Sequence, residues 1–267
     1  MQSFAELFQQ DAVDTYWSDA KRPLACLMFL FPLLVVYEVG VLWIGGDQHQ
    51  LLRNGADYWM RGGLQSLGAD VSFLLPLLIC TGLLGWHGIR KYPWSVSRET
   101  FYGMFGESLL FAFALVIVGQ LHDLAFQRWT EVPQLNQVVA AADANIQAPR
   151  SVVLAVCFVG AGVYEEVMFR LCLLPAMFGA FRLTGMANGW AAFLAVFITS
   201  LCFSSAHYIG AAADQFTLFS FTFRAVAGLF FATLYLLRGF GITVGCHAFY
   251  DLLVGVVMQP EISSTAS

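Results

Sequence analysis

Residues 151–181 read SVVLAVCFVGAGVYEEVMFRLCLLPAMFGAF, an apolar run whose only charges are Glu165, Glu166 and Arg170. A helix needs about 20 apolar residues to cross the hydrocarbon core of a bilayer. This run exceeds that and reads as a tilted or broken transmembrane helix. Working outward, similar runs lie at 23–44, after Lys21-Arg22, and at 71–89, 103–121, 187–207, 216–237 and 239–258. Of the 267 residues, 58% are hydrophobic and 12% charged. Soluble domains carry about 25% charged residues, and half that density cannot coat a water-facing surface. The expected fold is all-α, a polytopic transmembrane bundle of about seven to eight spans.

The same arithmetic excludes a disordered chain and a secreted disulfide scaffold. Thirteen Lys+Arg against eighteen Asp+Glu leave no basic stripe for nucleic acid. The six cysteines, Cys26, Cys80, Cys157, Cys172, Cys202 and Cys246, sit inside apolar runs without metal-ligand spacing and read as packing residues. Residues 1–22 are polar and acidic, unlike a signal peptide, and suit an interfacial helix. Polar connectors lie at 45–70, 90–102 and 122–150, the last holding VPQLNQVVAAADAN, a candidate surface helix. One structural domain is expected, with accessory helices in 23–150, a core in 151–258 and a tail at 259–267. With the N-terminus inside, Lys21, Arg22, Arg90, Lys91, Arg98, Arg182 and Arg238 fall on the cytoplasmic side, and Arg53, Arg61, Arg128 and Arg150 on the other.

Charges in the spans carry the functional reading. Glu165, Glu166, Arg170 and Asp251 unpaired would cost on the order of 10–14 kcal/mol, at roughly 2.5–3.5 kcal/mol each. Such groups face a protein interior or a water-filled cavity. Glu166 and Arg170 are i and i+4, on one helix face, and suit an ion pair. Glu165 points elsewhere: it takes a partner from another span, is protonated, or works on water. Phe203-Ser-Ser-Ala-His207 puts an imidazole at the end of its span. His247-Ala-Phe-Tyr-Asp251 puts imidazole and carboxylate on one face, suited to a metal or to a His held in one tautomer. Gly241-x-x-x-Gly245 permits close helix approach. Glu38, Glu107 and Arg224 also lie in apolar runs, as lining of the same cavity or as ion pairs. Each cluster also has a bland reading as interhelical packing. Ser204 and Ser205 lack a nucleophile-elbow context. The cluster also suits a non-catalytic scaffold or a proton- or ion-coupled transporter, although no repeat symmetry is visible.

Glu165-Glu166-x-x-x-Arg170, Phe203-x-x-x-His207 and His247-x-x-x-Asp251, in that order on separate spans, resemble the CPBP intramembrane proteases, which include the CAAX prenyl endopeptidases and the abortive-infection proteins. The resemblance covers residues 151–258. It implies a membrane-embedded endopeptidase with Glu165, His207, His247 and Asp251 catalytic and Glu166–Arg170 a structural ion pair. It fits glutamic or metallo-dependent hydrolysis, with no cofactor favoured. If a metal is present, zinc on Glu165, His207, His247 and Asp251 is the expectation. The implied partners are a membrane-associated protein or peptide substrate and the lipid bilayer, and the implied location is the bacterial inner (cell) membrane.

Overall fold

A computed structural model describes residues 15–69, 71–126, 148–210 and 213–258. The candidate surface helix in 122–150 and the tail lie mostly or wholly outside these residues. All regular structure among them is helical. In chain order the helices are α1 Pro23–Gly45, α2 Gly55–Ser66, α3 Leu74–Ile89, α4 Arg98–Phe126, α5 Arg150–Glu166, α6 Leu174–Leu183, α7 Asn188–Ala206, α8 Leu218–Arg238 and α9 Phe240–Leu252. Six stretches are long and apolar enough to cross a membrane: α1, α4, α5 with α6, α7, α8, and α9 with its extension to Val257. The run expected at 71–89 forms α3, an apolar helix of 16 residues, about 24 Å long and so shorter than the hydrocarbon core. Large apolar side chains such as Phe31, Val39, Trp43, Phe113, Ile117 and Phe197 face outward, as lipid-facing residues do.

The long run at 151–181 is neither broken nor simply α-helical. Arg150–Leu183 is continuous over 34 residues, but Val167–Leu173 is wound as a π-helix. Pro175 has no N–H to give the Leu171 carbonyl, and the ladder widens just before it. Such widened turns concentrate at functional sites, and this one begins immediately after Glu166.

Helix α9 is the centre of the bundle. Phe240 to Ala248 are all buried, between α1, α4, α5 and α8. Three glycine contacts allow this. A Cβ on Gly241 would meet the Cys26 backbone at 3.1 Å, one on Gly245 would meet Ser108 Oγ at 2.5 Å, and one on Gly162 would meet the Ala248 backbone at 2.7 Å. The first two are the glycines of the G-x-x-x-G pattern, turned toward α1 and α4. The third sets the spacing of α5 against α9. Gly239, at φ +91°, supplies the left-handed residue that reverses the chain from α8 into α9. Replacing Gly162 by Val is expected to push α5 from α9 and weaken the fold by about 1–3 kcal/mol. Thermal unfolding in detergent measures this, and an unchanged midpoint would contradict the close packing.

Arg53 and Arg61, expected in a polar connector, are instead buried with Glu38 and Asp57. Arg53 Nη1 lies 2.7 Å from Asp57 Oδ2, Arg61 Nε 2.5 Å from Asp57 Oδ1, and Arg61 Nη2 2.6 Å from Glu38 Oε1. The hydroxyls of Tyr37 and Tyr164 donate to Asp57 and Glu38. Glu38 is thus separate from the candidate site: its charge within α1 draws α2 inward, and two Arg and two acids cancel. Glu107 is accounted for by Arg238, at 2.7 Å. Asp57→Ala would leave two guanidinium groups facing one carboxylate. The expected loss is about 3–5 kcal/mol, read as a lower unfolding temperature in detergent. A change below about 1 kcal/mol would show the cluster is not needed for stability.

Candidate functional site

Four helices bring the site together. Glu165 and Glu166 end α5, His207 caps the C-terminus of α7, His247 and Asp251 lie on α9, and Arg224 lies on α8. Glu165 Oε2 is 3.8 Å from His207 Nε2 and 3.9 Å from His247 Nε2. His247 Nε2 is in turn 3.5 Å from Asp251 Oδ2. Glu165 Oε2 is buried and has no hydrogen-bond partner among the described residues.

Each imidazole is oriented through its other nitrogen. His207 Nδ1 is 2.9 Å from the Phe203 carbonyl oxygen. A carbonyl only accepts, so the proton sits on Nδ1. His247 Nδ1 is 2.7 Å from Glu166 Oε1, and by the same reasoning donates to that carboxylate when it is ionised. Both Nε2 atoms are left to face Glu165. With that proton on Nδ1, the Nε2 of neutral His207 is a lone-pair acceptor. The Phe231 ring stacks on His247 at 4.4 Å, and the edge of Phe203 meets both imidazoles.

Glu166 has two partners, where the sequence suggested one. Its Oε1 lies 3.1 Å from Arg170 Nη1 as well as against His247. Arg170 Nη2 also donates to the Gly228 carbonyl, and its guanidinium lies 4.4 Å from the Phe203 ring centroid. The i,i+4 spacing within 165–170 pointed to Arg170, but the bond to His247 spans 81 residues and carries no local signal.

Arg224 lines the site beside these groups, and its charge acts on Glu165, His207 and Asp251. Its Nη2 donates to Asp214, it lies over the Tyr208 ring, and its Nη1 is buried without a partner. Asp214 was not anticipated. Its N–H bonds the His207 carbonyl at 2.9 Å, which ties the chain after α7 to the site. The side chains of His207 and Asp251 are 24% and 21% exposed, against 14% for Glu165 and 5% for His247. The site therefore opens toward the end of the bundle where α7 stops and α8 begins.

Imidazole and carboxylate are donors that zinc accepts. Yet among the described residues no three His, Cys, Asp or Glu side chains are disposed to hold a metal ion. The separations of 3.8 and 3.9 Å exceed the roughly 3.3 Å edge of a tetrahedron with zinc–ligand bonds of about 2.0 Å. As arranged, the residues do not fit that ion.

No curated protein and no solved structure matches the chain. Residues 147–253 match a family model described as type II CAAX prenyl endopeptidase Rce1-like. That span includes Glu165, Glu166, Arg170, His207, His247 and Asp251, so over these residues the chain is similar to that family.

Proposed function

We propose that this integral membrane protein is an endopeptidase that hydrolyses a peptide bond of a membrane-associated protein, with Glu165 activating the water. The supporting observation is the buried, unpartnered Glu165 Oε2 facing two imidazole Nε2 atoms at 3.8 and 3.9 Å. Those gaps are too long for direct hydrogen bonds and suit one water bridging the groups. Neutral His207 accepts a hydrogen bond from that water. Glu165 takes the second proton as the oxygen adds to the substrate carbonyl carbon, and returns it to the departing amine as the C–N bond breaks. His247, once doubly protonated, donates Nδ1–H to Glu166 and Nε2–H to the oxyanion. The Asp251 carboxylate, 3.5 Å from Nε2, offsets the positive charge of that imidazolium. The oxyanion role thus falls to His247, and His207 holds the water.

The location proposed is the bacterial inner membrane. The mouth faces away from the helix ends bearing Lys21, Arg22, Arg90, Lys91, Arg98, Arg182 and Arg238, so by the positive-inside rule it opens to the non-cytoplasmic side. The test uses protein purified in lipid nanodiscs and a fluorogenic peptide carrying an S-farnesyl cysteine near its C-terminus, beside an unprenylated control. Cleavage by the wild type that His247→Gln lowers by about 10²- to 10³-fold supports the reading. Equal cleavage by both proteins overturns it. Metal analysis of the active preparation separates the glutamic from the metallo-dependent form: activity retained at substoichiometric zinc supports the former.

A further inference from the structure

We propose that Arg224 is a specificity residue that binds a carboxylate carried by the substrate on the mouth side of the scissile bond. This rests on the endopeptidase reading above. Four observations lead to it. First, Arg224 is six residues into α8, about 9 Å from its start, on the open side of Glu165. Second, one guanidinium edge is already engaged: Nη2 donates to Asp214, and the group lies 5.4 Å from the Tyr208 ring centroid. It is therefore held in place, without long-chain entropy left to lose. Third, Nη1 is buried with no acceptor, and an unmatched buried donor costs about 1–3 kcal/mol until an oxygen meets it. Fourth, the charge balance demands a cation. Glu165 and Asp251 both act on the site, while Arg170 is taken by Glu166. A substrate acid approaching these carboxylates would be repelled unless a guanidinium faced it. Among the described residues near the site, Arg170 Nη1 and Arg224 Nη1 both lack a hydrogen-bond partner, but Arg170 Nη1 faces Glu166 Oε1 at 3.1 Å and only the Arg224 donor faces no carboxylate.

A planar guanidinium with one edge pinned and another donor open is a directional carboxylate receptor. The carboxylate comes from a free peptide C-terminus or from an Asp or Glu side chain a few residues past the cleaved bond. Either would fix how far from that group the peptide is cut.

The test uses three fluorescent S-farnesyl peptides: one ending Cys-Ala-Ala-Met as the free acid, its C-terminal carboxamide, and a carboxamide with Asp in place of Met. Binding is read by anisotropy on Glu165→Gln protein in nanodiscs, and kcat and KM on the wild type. The free acid is expected to bind about tenfold to a hundredfold tighter than its carboxamide, mostly through KM. Recovery by the Asp peptide identifies a side-chain source, and its failure a C-terminal one. Arg224→Gln should collapse the acid-to-amide ratio to near one, and Arg224→Lys should keep part of it. If Arg224→Gln does not fold, Asp214→Asn carries the test: the amide oxygen can still accept from Nη2 while the competing negative charge is gone, so the ratio should widen, and an unchanged ratio overturns the proposal. Equal binding of all three peptides overturns the proposal, as does a preference for a carboxylate that survives in folded Arg224→Gln. An effect that follows the anionic-lipid content of the nanodisc instead of the peptide terminus also overturns it, in favour of a headgroup. If no peptide is bound or cut, the endopeptidase reading fails and this inference with it. Binding without acid preference removes this inference alone.

Discussion

Glu165→Gln in the purified protein is expected to lower peptide cleavage by about 10²- to 10⁴-fold, the usual contribution of a positioned general base, and to leave the fold intact. The amide has nearly the same shape as the carboxylate. Among the described residues Glu165 pairs with no Lys or Arg, and its Oε2 has no hydrogen-bond partner, so removing its charge breaks no ion pair with a fixed cation. Substitution here should therefore separate activity from stability. The check is kcat/KM beside the unfolding temperature of both proteins in the same detergent. Full turnover by the amide would remove Glu165 from the chemistry.

Arg170→Ala should do the reverse. Arg170 is 2% exposed and lies among Glu166, the Gly228 carbonyl and the Phe203 and Phe231 rings. Removing it leaves the Glu166 carboxylate buried without its cation and opens a cavity. The expected loss is about 3–5 kcal/mol, seen as reduced folded yield and a lower unfolding temperature. Arg170→Lys should recover only part of this, because an ammonium cannot reach Glu166 and the Gly228 carbonyl while lying flat on Phe203. A fully stable Arg170→Ala would show that Glu166 is satisfied by His247 alone.

These two residues also illustrate how much was legible beforehand. The membrane bundle follows from apolar runs long enough to span, because a bilayer leaves the backbone few alternatives to a helix. Glu165, Glu166 and Arg170 drew attention because charge within a span is costly. What could not be read were pairings over long sequence separations. The sequence leaves Glu38 open between lining the same cavity and forming an ion pair. It is matched by Arg53 and Arg61, from a segment that reads as an ordinary polar connector. Nothing local distinguishes such an arginine from a solvated one, since its burial depends on an acid 15 or 23 residues away. Asp214 carries no local signal for a similar reason: its role depends on Arg224, which approaches from the next helix. The division of labour between the histidines also needed coordinates, because the tautomer of each is set by what its Nδ1 meets.

The most direct test of water activation by Glu165 is a comparison of protein termini in membranes of cells producing wild-type protein or Glu165→Gln at equal levels. The account predicts new termini on membrane proteins in the wild type, absent with the variant, and carrying one ¹⁸O in the new carboxylate when cleavage proceeds in H₂¹⁸O. Identical sets of termini from the two membranes would contradict it.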